Sequence, residues 1–378
     1  MKEFLRKHLW FLRREAEFLV IDNNSGDFRF SIVCPAEGGR HFQLISGPTT
    51  AMPVIRDNTK IIISLSHRHA TTFRMPVAIT RTEPKLAITE TELENIVSRG
   101  LWKLFNRQRQ SAALKMRATD VAVKVFDADI VGIKLDGHKV ADPVGFSARE
   151  VELECQQTLA VQPALATLLE MLPPEQIVSV QEAPAAWPLL VAGEGTTKEF
   201  LALSVLSAET VLYRYADGTL ECIDTFAWGS SDITKAVAGF FGTDTEEAEA
   251  VIGLYTKGNA SLSVLKKVEA VLSQELSILF KGIEAHRLKR EAKQVFIASE
   301  FRIPEILLGS RYIRKLGVDF TPTLLGVSWI SEKLGYTLKL MEDDVQSADS
   351  VCAALAVYHS QQKDTLLSKI AKQRARWL

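Results

Sequence analysis

The chain has 378 residues, 47% of them apolar, and a formal net charge of −1. That length supplies two or three domains with ample core, and the near-neutral balance excludes a globally basic nucleic-acid binder, because neutralising phosphates needs a clear excess of Lys and Arg. The four cysteines, Cys34, Cys155, Cys222 and Cys352, form no CxxC pair, which fits a reducing compartment and burial as small hydrophobes rather than a disulfide framework.

Residues 1–14, MKEFLRKHLWFLRR, set Met1, Phe4, Leu5, Leu9 and Leu12 on one helical face, with Lys2, Arg6, Lys7 and Arg13 elsewhere around it. Basic residues interrupt this stretch, so it does not read as a signal peptide. No apolar run approaches the ~20 residues of a spanning helix, and a cytoplasmic protein is expected. EFLVID and FRFSIVC read as two strands around the polar turn NNSGD. KIIISLSH is a strongly apolar strand, followed by FRMPVAITR. TETELENIVSRGLWKLF opens with Thr89 and, three residues later, Glu92, the spacing of a capping box. VAVKVFDADIVGIKLDG reads as a strand pair or meander, and FSAREVELECQQTLAV as a further extended run.

In the second half, FLALSVL, a short SAE turn, TVLYRY, an Asp217-Gly218 turn and TLECIDTFAWG read as three antiparallel strands. DITKAVAGFFG, DTEEAEAVIGLY and LSVLKKVEAVLSQELSILFKGIEAHRLKREA carry helical patterns. QVFIAS is a buried strand, and RIPEILLGSRYIRKLG and SADSVCAALAVYHSQQ are helices. Two strand-turn-strand units, each leading into mixed α/β structure, suggest two related lobes.

Several of these stretches together resemble FtsA, the actin-like family that ties the bacterial division ring to the membrane. DPVGFSAREVELE, Asp142 to Glu154, looks like the end of that family's small inserted subdomain. KIIISLSHRHATTFRMPVAIT and ITETELENIV are similar to the strand and helix of the same region. DGTLECIDTFAWGSSDITKAVAGFFGTDTEEAEAVIGLY resembles the stretch after the second phosphate hairpin, ending in the EEAE helix, Glu246 to Glu249. The resemblance spans about residues 17 to 360 and implies an actin-like (ribonuclease H-like) α/β fold of two lobes. It implies a lobe 1 core of residues 1–80 with 156–180, an inserted subdomain at 81–155, and a lobe 2 core of 181–242 with 292–362. A helical subdomain at 243–291 and a basic amphipathic C-terminal helix at 363–378 complete it.

The same resemblance locates a nucleotide cleft, and the residues there are eroded. GEGTT, Gly193 to Thr197, has the composition of a phosphate hairpin, since glycines and threonines let a backbone approach an anion. It falls before strand FLALSVL, however, where the family has a surface connector. The second hairpin position is Ser204 to Val211. There Ser204 replaces the leading acid, Leu206, Ser207 and Ala208 replace glycines, and Glu209 replaces a threonine; Thr210 remains. Glu209 sets a negative charge where an anion would sit. In the first hairpin Asp22 keeps the leading carboxylate, while Asp27 reverses the charge of the family's lysine. Ser299 and Glu300 fill the glycine pair that admits the nucleotide, and Ile252 stands for the adenine-flanking lysine. The remnant cleft would comprise Asp22, Asn24, Ser25, Gly26, Thr210, Gly229 and Glu249, with ATP and Mg as cofactors only if it still works; lost or altered nucleotide binding is expected. Between Ser46 and Lys60 the chain has only GPTTAMPVIRDNT, too short and proline-rich for the helix the family places there.

Other constellations carry less. His67 and His69 alternate on a predicted strand and face one side, but zinc needs further ligands and none is near in sequence. There is no P-loop, nucleophile elbow or metalloprotease helix, and a sugar-kinase reading lacks phosphate glycines and a positioned base. The C-terminus, DTLLSKIAKQRARWL, places Leu366, Leu367, Ile370, Trp377 and Leu378 on a broad apolar face. Lys369, Lys372, Arg374 and Arg376 form its basic complement, a pattern suited to a membrane interface or to packing on the body. The expected protein is a self-associating, membrane-peripheral adaptor or scaffold. The resemblance implies a tubulin-like division protein as partner, gripped around Thr243 to Glu291. A PilM-like actin-fold adaptor of a pilus or secretion machine and a working ATPase are the alternatives.

Overall fold

Two apolar runs, FLVI and KIIISL, form the centre of the first sheet: Phe18, Leu19, Val20, Ile21 and Ile61, Ile62, Ile63 and Leu65 are all essentially inaccessible. Strands covered on both faces read as continuous apolar runs rather than alternating ones. The computed structural model describes residues 17–23, 28–36, 41–195, 197–256, 259–290, 294–299, 303, 308–315, 320–339, 351–352, 354–358 and 366–375. The predicted helix at 1–14 lies outside them. In chain order the strands are β1 (Phe18–Asn23), β2 (Arg29–Ala36), β3 (His41–Thr49), β4 (Lys60–Leu65), β5 (Ala70–Thr80), β6 (Val123–Leu135), β7 (His138–Lys139), β8 (Glu150–Val161), β9 (Ile177–Glu182), β10 (Glu199–Val205), β11 (Thr210–Ala216), β12 (Thr219–Phe226), β13 (Val295–Ser299), β14 (Thr323–Leu324) and β15 (Thr337–Lys339). The principal helices are α1 (Glu90–Lys115), α2 (Gln162–Met171), α3 (Ala186–Glu194), α4 (Ser230–Phe241), α5 (Thr245–Thr256), α6 (Leu262–Arg290), α7 (Ser310–Lys315) and α8 (Leu366–Ala375).

The chain divides into two compact units, Met1–Leu190 with Gly218–Glu221 and Ile330–Leu378, and Val191–Asp217 with Cys222–Trp329. In the first, the strand order is β15-β3-β2-β1-β4-β9. β1 runs antiparallel to β2, and β2 to β3, while β1–β4 and β4–β9 are parallel. In the second, the order β12-β11-β10-β13-β14 repeats the scheme. β10–β11 is antiparallel, and β10–β13 and β13–β14 are parallel. An antiparallel 1-2-3 meander with strands 4 and 5 added in parallel beside strand 1, present twice, is the duplicated ribonuclease H-like arrangement of the actin-like fold. Leu165, Leu168 and Leu172, in and just after α2, cover one face of the first sheet. On the other, Phe18 and Phe42 meet the ring of Tyr358 edge-on at 6.5 and 5.2 Å.

Between β5 and β8 the first unit carries an inserted α/β element. β5, β8 and β6 pair antiparallel, and α1 lies on their apolar face with Leu93, Ile96, Val97, Leu101, Leu104 and Phe105 buried. The strand pair or meander expected from residues 121–137 is a single strand, β6, broken in register twice, between Val125 and Asp127 and between Ile130 and Gly132. Each bulge adds a residue to one strand. The core-facing residues Val123, Val125, Ala128, Ile130, Ile133 and Leu135 therefore step by two and three alternately while staying on one face. β3 lies where no strand was expected.

Thr89 caps α1 as its spacing predicts, its hydroxyl accepting the Glu92 N–H at 3.2 Å. The reciprocal half of the box is redirected: the Glu92 carboxylate accepts from Arg81 Nε at 2.8 Å and Nη2 at 2.9 Å. Buried Arg81 also donates to the carbonyls of Ala148 and Leu86, joining the end of β5 to two loops and the helix start. The Arg81 hydrogen bonds hold the Glu92 carboxyl below its ordinary range. A depressed folded-state pKa stabilises above the ordinary value, and that stabilisation is lost as the pH falls through the depressed one. Glu92→Gln is thus expected to cost about 1–2 kcal/mol at pH 7. Urea denaturation should show the two proteins converging as the medium is acidified.

In the second unit, β10, β11 and β13 supply Leu201, Leu203, Val205, Leu212, Val295 and Ile297 to a core closed by α4, α5 and α6 through Ile233, Val237, Ala248, Leu272, Leu276 and Phe280.

Candidate nucleotide site

The strand-turn-strand of β10 and β11 is in tight register up to Val205 opposite Thr210, leaving Leu206 to Glu209 as the turn. This is the stretch assigned to the second phosphate hairpin, and it closes on the first turn of α4. A helix N-terminus presents unpaired N–H groups and a positive dipole end, which is what makes it an anion site. Here those groups are engaged. Ser230 N–H donates to the Leu206 carbonyl at 2.9 Å, Ser231 N–H to the Ser207 carbonyl at 2.8 Å, and Asp232 N–H to the Gly229 carbonyl at 3.1 Å. The Asp232 carboxylate accepts the Gly229 N–H at 3.0 Å.

Two residues of the expected remnant cleft belong to this closure. Thr210 is fully buried, and its hydroxyl donates to the Trp228 carbonyl at 2.8 Å. Gly229 is a contact glycine: a Cβ there would stand 2.5 Å from the carbonyl oxygens of Leu206 and Ser207 and 2.7 Å from Glu209 N. Glu249 lies exposed on α5, whereas Ile252, at the expected adenine-flanking position, is buried in the core of the unit. GEGTT lies elsewhere, with Gly193 and Glu194 in the last turn of α3, Gly195 at φ +79°, and β10 beginning at Glu199. It connects a helix to a strand and is not a hairpin between strands.

In the first unit the carboxyl ends of β1, β4 and β9 lie side by side. Asp22 neighbours Ser64, and Asn23 neighbours Leu65; in turn Ser64 neighbours Gln181 and Leu65 neighbours Glu182. In open α/β sheets this edge is where ligands bind, and here it gathers buried polar side chains: Asn23, Ser64, Ser66, His67, Gln181 and Glu182. Among the described residues, Asn23 Oδ1 and Gln181 Nε2 make no hydrogen bond. The charged centre of the edge is internally paired. Lys115 Nζ donates to Glu182 Oε1 at 2.8 Å and to Thr71 Oγ1 at 3.0 Å, and Glu182 Oε2 accepts the Thr72 N–H at 2.6 Å. Asn24, Ser25, Gly26 and Asp27 lie outside the described residues. The buried polar side chains of this edge are amide, hydroxyl, imidazole and carboxylate, and its lysine is engaged by Glu182 and Thr71.

His67 and His69 do not share a strand face. They occupy the turn 67–69 between β4 and β5, where the chain reverses before the alternation of β5 begins; His67 is buried, and His69 Nδ1 is 3.3 Å from Ser66 Oγ. Among the described residues no group of three His, Cys, Asp or Glu side chains is placed to hold a metal ion.

The C-terminal helix α8 packs on β6 and α1. Leu367, Ile370, Ala371 and Ala375 join the core of the inserted element, and Arg374 pairs with Glu94 at 2.7 Å. Leu366 and Lys369 are exposed, and Arg376 and Trp377 lie outside the described residues. Of the apolar residues that the sequence pattern offers to a membrane, Leu367 and Ile370 are covered by the inserted element, Leu366 is exposed, and Leu378, like Trp377, lies outside the described residues. Among the described residues no helix is long and apolar enough to cross a membrane.

No family model and no curated protein matches the chain. It is similar to solved structures. One is a PilM-PilN type IV pilus biogenesis complex, at 16% identity over 92% of this chain and 99% of that one, with a TM-score of 0.49. Another is a protein of Bacteroides thetaiotaomicron with an actin-like ATPase fold and unknown function, at 10% identity over 91% and 97% of the two chains, TM-score 0.36. A third is apo ParM of psk41, at 10% identity over 94% and 98%, TM-score 0.32.

Proposed function

We propose that this chain is an actin-fold adaptor that works by binding proteins and by self-association rather than by turning over ATP. One observation carries this reading: beside the hairpin position, the first-turn N–H groups of α4, which would otherwise be free to meet an anion, donate to the carbonyls of Leu206 and Ser207 at 2.9 and 2.8 Å. Seating a phosphate there would require breaking both bonds and would expose the anion to carbonyl oxygens and to Glu209. Titration with fluorescent ATP and Mg should show no saturable binding below about millimolar nucleotide, equivalent to less than ~4 kcal/mol. Micromolar affinity would overturn the reading.

The burial of Leu367 and Ile370 on α8 favours a membrane link through a partner protein, as in a pilus or secretion adaptor of the PilM kind. The FtsA-like reading, a division adaptor with the five-segment organisation given above, instead places the chain at the inner face of the membrane through its own helix and on a tubulin-like filament. Sedimentation with anionic liposomes, with and without residues 364–378, separates them. Lipid binding that depends on that segment supports the division adaptor. Lipid-independent capture by the cytoplasmic tail of an inner-membrane protein supports the other.

A further inference from the structure

We infer that the outward face of the helical layer on the inserted element is a docking surface for an anionic lipid bilayer. This inference does not rest on the adaptor reading, whose test is nucleotide binding. α1 packs on β5 and β8, and α8 packs on β6 and on α1; both feed the one apolar core beneath them. The two helices therefore lie side by side as a single layer, and their other faces point away from the sheet. From Arg99 to Arg117 the sequence holds six basic residues and no acidic one. Two of the six are engaged by carboxylates, Arg109 by Asp120 and Lys115 by Glu182. Arg99, Lys103 and Arg107 are exposed and follow one another at four-residue steps along the outward face of α1. Lys103 donates to the Ala78 carbonyl, and among the described residues no carboxylate pairs with any of the three.

Like charges at that spacing repel and destabilise a helix in water, and an anionic surface relieves the repulsion. The same face carries two apolar side chains that the fold leaves uncovered, Trp102 at 50% exposure and Leu114 at 75%. They stand about 18 Å apart along the helix axis. α8 adds exposed Leu366 and Lys369 to the outward side of the layer. The chemistry selects the partner. A basic row repels the cytoplasmic segments of membrane proteins, which carry an excess of Lys and Arg themselves. The cytoplasmic leaflet instead presents negative headgroups and, at their level, the interfacial zone in which Trp side chains settle. Cations set among protruding Trp and Leu side chains meet the headgroups and that zone together.

Sedimentation of the full chain with vesicles of equimolar phosphatidylglycerol and phosphatidylcholine, and with vesicles of phosphatidylcholine alone, tests this. The chain should bind the anionic vesicles, leave them as salt is raised, and ignore the neutral ones. Arg99→Gln combined with Arg107→Gln should weaken binding about twentyfold, and Trp102→Ser about fivefold. The double variant alters exposed side chains and leaves residues 364–378 intact, so its loss separates this face from anchoring by the C-terminal segment. Absence of binding to the anionic vesicles, equal binding to both kinds, or binding unchanged in either variant overturns the inference. So does capture of the chain by polyglutamate without vesicle binding, which would assign the face to an acidic protein.

Discussion

Gly229→Ala is expected to lower the stability of the second unit by roughly 2–4 kcal/mol, while Gly239→Ala, ten residues along the same helical segment, should raise it by about 0.5–1 kcal/mol. The contrast comes from surroundings rather than chemistry. At Gly229 the new methyl meets two carbonyl oxygens at 2.5 Å and a backbone nitrogen at 2.7 Å. These are main-chain atoms of the β10–β11 turn and cannot swing aside as a side-chain tip would. Relief requires lifting the turn from α4, which breaks the bonds from Ser230 and Ser231, each worth about 1 kcal/mol net. At Gly239 a Cβ meets nothing within 4 Å, and alanine in a helix interior removes only the entropic penalty of glycine. The two midpoints in urea should move in opposite directions. A neutral Gly229→Ala would mean that the turn and helix are not closed as described, and would remove the main support for a filled phosphate position.

Much of this closure had a signature in the residues and some had none. Leu206, Ser207, Ala208 and Glu209 standing at glycine and threonine positions signalled an altered hairpin. The bonds that replace a ligand run between backbone groups, which any residue supplies, so only Gly229 marks them. Strands such as β1 and β4 were legible because burial on both faces leaves an unbroken apolar run. β6 was not, because its bulges turn a period of two into alternating steps of two and three that imitate a break between two strands. The start of α1 was written in Thr89, but Glu92 was read as completing the cap when Arg81, eleven residues earlier, takes its carboxylate. For α8 the amphipathic period was plain, yet a period states which face is apolar and not what covers it. Ala371 and Ala375, small enough for close approach to β6, were the available hint that the cover is protein.

Lys115→Met should be among the most damaging single changes in the first unit, at about 3–5 kcal/mol, because it removes a counter-charge from a buried carboxylate. Glu182 is 0% exposed, and the last turn of α1 brings Lys115 to it across 67 residues of sequence. Removing one partner of a buried pair costs more than the pair contributes, since the survivor keeps its desolvation penalty and loses its compensation. The double variant Lys115→Met, Glu182→Gln should recover at least half of the loss at pH 7. The amide oxygen can still accept the Thr72 N–H, held at 2.6 Å in the wild type, and no charge remains to bury. Chemical denaturation of the wild type, both single variants and the double completes the cycle. A double variant as unstable as Lys115→Met at pH 7 would show that Lys115 acts through its packed methylenes, and that the polar edge of β1, β4 and β9 owes nothing to this ion pair.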